Sequence, residues 1–160
     1  MRNKLIIAEH RGGILTTGNH RRLMLWAIFC VERVLSHYPT HPDTDAQLLK
    51  AITIAKKWAD GKCSSMDAIR ASREVHGLAK SMDDKIACLA ARAVGQAVAT
   101  AHMADHCVGA ALYAQKIIKS SGGSIQAEKE IQIQALRDLP PELSTLIIEL
   151  METKAKGFGI

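Results

Sequence analysis

Apolar side chains recur every three or four positions along most of the chain, the spacing of one buried helical face, and alternating β-branched runs are scarce. The first strong segment is His20 to His37. Leu23, Trp26, Ala27, Cys30, Val34 and Tyr38 share its apolar side, Thr17 or Asn19 is placed to cap it, and Pro39 and Pro42 end it. Thr44 and Gln47 have the form of a capping box for a second helix, with Leu48, Ala51, Ile52, Ala55 and Trp58 inward and Gly61 as its stop. Ser64 or Ser65 opens a third, Met66 to Met82, carrying Ile69, Val75 and Leu78. Asp83 and Asp84 then place negative charge where the dipole of the next helix favours it.

From Lys85 to Ser120 the pattern changes, because small and apolar residues occupy every side of the helix. Such a segment belongs at the centre of a bundle. As one helix its 36 residues would span about 54 Å, long for this chain, so a break or kink is expected near His102 to Asp105. Ser120 to Ser124 is a loop with two glycines, and two more helices follow, from Gln126 to Asp138 and from Pro140 or Pro141 to Lys154. The last carries Leu143, Leu146, Ile147, Leu150 and Met151, a face wide enough to pack on the bundle and to contribute to a homodimer. The fold expected is all-α: a single-domain bundle of about six to seven helices around an Ala/Gly-rich central segment. Residues 1–160 form one domain, with 1–16 an N-terminal extension and 157–160 a frayed tail.

Composition narrows the functional classes. No apolar stretch approaches the roughly 20 residues that cross a membrane, and the short apolar run near the start is not a secretory core, so the cytoplasm is the expected compartment. Cys30, Cys63, Cys88 and Cys107 are scattered without metal-finger spacing and are read as reduced thiols. The net charge of +5 is spread thinly, and with only two each of Trp, Tyr and Phe there is little to stack bases on. Nucleic acid is not the expected partner.

Candidate chemistry concentrates in the central segment. At about 100° per residue, Cys88, Gly95, Ala99, His102, His106, Gly109 and Tyr113 fall close to one line if the helix is continuous there. The glycines on that line let another helix approach closely. His102 and His106, four apart, could ligate a metal with Asp105, Cys107 or His76. Against this, Asp105 points away from both imidazoles, and the glutamate that a zinc hydrolase holds between its histidines is missing. The favoured reading is a pair of buried or half-buried histidines satisfied by carbonyls or carboxylates of neighbouring helices. No Gly-x-Ser-x-Gly elbow is present, and Gly12-Gly13 and Gly122-Gly123 lack the spacing and lysine of a phosphate loop. Arg92, inside the apolar segment, either pairs with Glu32 or Glu74 or stands on a groove.

Four stretches, Asn19 to Leu35, Ala55 to Gly61, Ala90 to Lys116 and Leu136 to Leu143, resemble the immunity proteins of bacterial polymorphic-toxin systems, in particular their helical immunity-five-like domain. The specific part is Ala-Val-Ala-Thr-Ala-His followed four residues later by His106. The resemblance implies an all-helical protein that binds and neutralises a toxin, with no catalytic residues and no cofactor. Its motif falls on Trp26, Cys30 and Arg33, on Trp58 and Gly61, and on Gly95, His102, His106 and Gly109. Two features depart from it. Gln96 stands where the family often has histidine, and the basic balance suits poorly an inhibitor that would cover the cationic cleft of a nuclease. A toxin-binding protein is therefore the leading expectation. A small helical metal- or cofactor-binding enzyme using His102 and His106 is the alternative, and a nucleic-acid-associated basic protein the third.

Overall fold

A computed structural model describes residues 1–37 and 42–160. Seven α-helices succeed one another: α1 (Thr17–Val34), α2 (Pro42–Ala59), α3 (Ser65–Lys80), α4 (Lys85–Ala99), α5 (His106–Ser120), α6 (Ile125–Gln134) and α7 (Pro141–Ala155). Among the described residues there is no strand, only one isolated bridge between Ala8 and Leu15. The chain is an all-α bundle.

Local chemistry explains most boundaries. Ser64 and Asp67 form a reciprocal capping box on α3, Asp84 caps α4 and Ser124 caps α6. Gly61, with φ of +74°, reverses the chain after α2. Three expected starts and ends move. Thr16, not Thr17 or Asn19, caps α1, because its hydroxyl is the one that meets the Asn19 N–H, at 3.1 Å. The second helix begins at Pro42, so Thr44 lies inside its first turn, where the preset φ of proline suits a helix start. The third shift is at α6, which stops at Gln134. The N–H groups of Leu136 and Leu139 bond three residues back, to Ile133 and Leu136, and tighten the chain into turns. The expected roles of Tyr38 and Pro39 lie outside the described residues.

The segment from Lys85 to Ser120 is two helices. After Ala99 the N–H groups of Thr100, Ala101 and His102 bond to carbonyls three residues back, which closes α4, and α5 restarts at His106. His20, at the start of α1, donates its Nε2 hydrogen to the Thr100 carbonyl at 2.6 Å, satisfying a helix-end acceptor that would otherwise be orphaned in the core. α4 packs on α1, α2, α3 and α5, and α5 in turn holds α1, α6 and α7. Small side chains make this possible: Ala90, Ala91, Ala93, Ala110, Ala111 and Ala114 are all fully buried. At Gly95 a methyl group would sit 2.6 Å from the His76 ring, and the Ser72 hydroxyl donates to the Gly95 carbonyl, so α3 and α4 nearly touch there. At Gly109 the space a methyl would need is filled by the Gln96 amide.

Both chain ends are seated. Ile6 and Leu15 of the N-terminal extension are buried in the common core. Phe158, in the tail expected to fray, stacks edge-on against Tyr113 with centroids 4.8 Å apart, and Lys119 donates to the Gly159 carbonyl. An aromatic ring that finds an edge partner holds the last turn down. On α7, Leu143, Leu146, Ile147 and Met151 are buried within the chain itself. The face that suggested a homodimer is thus covered internally. No helix of the described residues is long and apolar enough to cross a membrane.

Replacing Gly95 by leucine should cost about 1 to 3 kcal/mol or more, since the His76 ring packed against it would have to retreat. Urea unfolding of the variant against wild type measures this, and an unchanged midpoint would show that the crossing tolerates bulk.

Candidate functional site

The histidines that look paired in the sequence part company in the fold. The turn after Ala99 takes His102 off the helical line, where its Nδ1 accepts from Arg11 Nη2 at 3.4 Å. His106 remains on α5 and donates its Nδ1 hydrogen to the Gln96 Oε1 at 2.7 Å. His76 lies against Gly95, and Asp105 faces Arg2 at 3.7 Å and Lys154 at 4.0 Å. Cys107 is wholly buried, and burial pushes its thiol far above the ordinary range. Among the described residues, no three His, Cys, Asp or Glu side chains converge as a metal site. Arg92 is half-buried and among the described residues pairs with neither candidate carboxylate; Glu32 bridges to Lys56 instead. Burial lowers the His20, His76 and His106 pKa values, and at His76 the nearby Arg92 charge adds to it.

Trp58 and Gly61 work with α1. The Trp58 ring meets His20 edge-on at 4.9 Å, its indole N–H donates to Ser65, and the Arg21 guanidinium lies over Gly61, where the φ of +74° disfavours a side chain. Cys30 is fully buried in the core with its thiol raised by desolvation.

A broad concavity lies elsewhere, between α1 and α6. α6 packs mainly on α5 and stands off from α1, leaving a groove of about 720 Å³. Leu25 and Phe29 form one wall and Ile131 the other, and all three are exposed, with Trp26 at the base. The Arg33 guanidinium sits 5.7 Å from the Phe29 ring centre at one end, and Arg22 and Arg137 mark the other.

A buried polar network fixes the two walls. The Trp26 indole N–H donates to the Gln132 carbonyl at 2.8 Å. The Gln132 amide N–H donates to the Ala111 carbonyl and to Glu128, and Gln115 donates to the Gln132 side-chain oxygen at 2.7 Å. Arg33 holds both Glu128 oxygens, at 3.3 and 3.2 Å. Three helices are therefore tied by directional bonds in a low-dielectric interior, where each is strong and each unpaired member would be costly. Trp26 and Arg33 were on the motif read from the sequence, whereas Gln115, Glu128 and Gln132 were not. The available signal was a glutamine inside an otherwise apolar segment and a Glu/Gln pair four apart on a helix with few apolar residues.

Residues 13–139 match the model of a family described as "Imm-5 like putative immunity protein". This chain belongs to that family. Both walls of the groove and the whole buried network lie inside the matching region, as do Trp58, Gly61, Gly95, His102, His106 and Gly109. No curated protein and no solved structure matches the chain. The resemblance read over Asn19 to Leu143 agrees with the Imm-5 like assignment.

Two measurements follow for this Imm-5 like chain. The imidazoles of buried His20 and of half-buried His76 and His106 have folded pKa values below the ordinary value, so the unfolded chain binds more protons between the two values. Their contribution is present above about pH 6.5 and is lost as pH falls below it. The urea midpoint should be lower at about pH 5 than at about pH 7.5, and His106→Gln should narrow the gap. Truncating Gln132 to alanine strips partners from Gln115 and should destabilise by about 1 to 3 kcal/mol. Hydrogen exchange on α6 should then rise ahead of that on α4, and uniform protection would show that the network does not hold α6.

Proposed function

We propose that this protein is an immunity-type binding protein that neutralises a bacterial toxin in the cytoplasm by one-to-one, non-covalent binding, with no chemistry of its own. The groove between α1 and α6 carries this reading. It exposes Leu25, Phe29 and Ile131 together, and the network beneath holds its walls in place before any partner arrives. A rigid apolar surface loses little conformational entropy on association, which favours stoichiometric binding. Membership of the Imm-5 like family supplies the class of partner.

The placement of the reactive side chains supports the absence of catalysis. Cys30 and Cys107 are buried with raised thiols, and His106 is engaged by Gln96. A cavity lined by Glu9, His10, Thr17, His20 and Cys63 gathers groups of the kinds that bond-breaking chemistry uses, but His20 Nε2 is spent on the Thr100 carbonyl, and the Cys63 thiol donates to the Ile54 carbonyl with its pKa raised by burial. His102 and His106 hold architecture in this reading.

Co-expression with the product of the open reading frame beside the gene tests it. Wild-type protein should restore survival and purify as a 1:1 complex with the toxin. His106→Ala should lower stability by about 1 to 3 kcal/mol through the unpaired Gln96, and protection by His102→Ala or His106→Ala should fall only as far as the folded fraction falls. Loss of protection at full stability, or stoichiometric metal present in wild type and absent from the variant, would overturn the non-catalytic assignment.

A further inference from the structure

We infer that the groove receives an amphipathic helix of the toxin that is apolar along two turns and carries carboxylates at one end, where they meet Arg22 and Arg137; this rests on the toxin-binding reading above. Arg22, Leu25, Trp26 and Phe29 are spaced i, i+3, i+4 and i+7, so the α1 wall runs for about 10 Å. Ile131, Gln134 and Ala135 line the facing wall of α6. A slot two helical turns long between two helices accepts a third helix by its i, i+3, i+4 and i+7 side chains.

Charge sets the orientation. The Arg33 end is neutralised by Glu128. At the other end Arg22 gives one N–H to the Asp138 carbonyl at 3.3 Å, and among the described residues neither Arg22 nor Arg137 is in an ion pair. Two guanidiniums share that end with one carboxylate, Asp138, on a chain whose net charge is +5. Guanidinium forks select carboxylates, so an acidic helix end fits and a basic one is repelled.

Other occupants fit less well. A second copy would carry the same net charge of +5 and the same two arginines on this face, so it offers no surplus carboxylate to Arg22 and Arg137 here. A nucleic acid would use the arginines but needs open aromatic faces. Arg33 already sits over one face of the Phe29 ring, and Trp26 is buried with its N–H spent on Gln132.

The test titrates the product of the open reading frame beside the gene with four proteins: wild type, Leu25→Asp/Ile131→Asp, Arg22→Glu/Arg137→Glu, and Leu49→Asp as a control at an exposed leucine of α2 that does not line the groove. Melting curves accompany each, and the arginine variant, altered only at polar side chains, keeps the inference testable if the apolar variant unfolds. The expected result is a rise in Kd of about 100-fold or more for the apolar pair and about 10-fold or more for the arginine pair. The control should match wild type, and raised salt should weaken wild type more than the arginine variant. Arginine replacement of the toxin's acidic residues should weaken its binding to wild type and restore binding to Arg22→Glu/Arg137→Glu. If wild type binds the toxin one-to-one and both groove variants bind equally well, the groove assignment is wrong while toxin binding stands. If wild type neither binds nor protects, the toxin-binding reading itself falls. Wild-type dimerisation or DNA binding that the groove variants abolish would assign the groove to those partners instead.

Discussion

Two helices that meet through small side chains, α4 and α5, pass through the centre of the molecule, and their close approach governs the rest. Where Gly95 and Gly109 remove even the methyl, a neighbour's polar side chain enters, His76 at one crossing and Gln96 at the other. The larger residues of the core come from α1 (Leu23, Met24), α5 itself (Leu112, Ile117), the turn after α6 (Leu136) and α7 (Ile147, Met151). Packing at this density leaves little room for adjustment, so each outer helix is fixed by the shape of the α4–α5 pair.

That arrangement explains which parts of the fold could be read in the sequence. Helical periodicity, Ser64 with Asp67, Asp84 and Gly61 are local signals, and local signals survive folding because the groups that satisfy each other are three or four residues apart. The break after Ala99 was foreseeable from length alone. What stabilises it was not, since the acceptor at Thr100 is satisfied by His20, eighty residues away. The tail followed the same rule. Nothing near Phe158 in sequence announces that Tyr113 will offer its ring edge.

The candidate site was less legible for the same reason. His102 and His106 drew attention because they are close in sequence, yet a six-residue turn from Thr100 to Asp105 is enough to send one to Arg11 and the other to Gln96. The groove depends on relations that periodicity does not encode. Leu25 and Phe29 read as members of a helix whose buried face is already complete without them, and Ile131 is 102 positions from Phe29. Only the relative placement of α1 and α6 brings them together.

Why that placement should rest on Gln115, Glu128, Gln132 and Arg33, where leucines could have been used, follows from what each kind of contact specifies. Apolar burial stabilises without direction, and a short helix such as α6 could slide or roll on α5 at little cost and close the groove over its own exposed isoleucine. Hydrogen bonds have fixed lengths and angles, so the network admits one register: Trp26 must face Gln132, and Arg33 must face Glu128. Desolvating an ion pair and two amides contributes little net stability, but any other docking leaves them unpaired in the core. The polar residues thus act by excluding closed alternatives, and an apolar surface that would otherwise collapse stays open to water and to a partner.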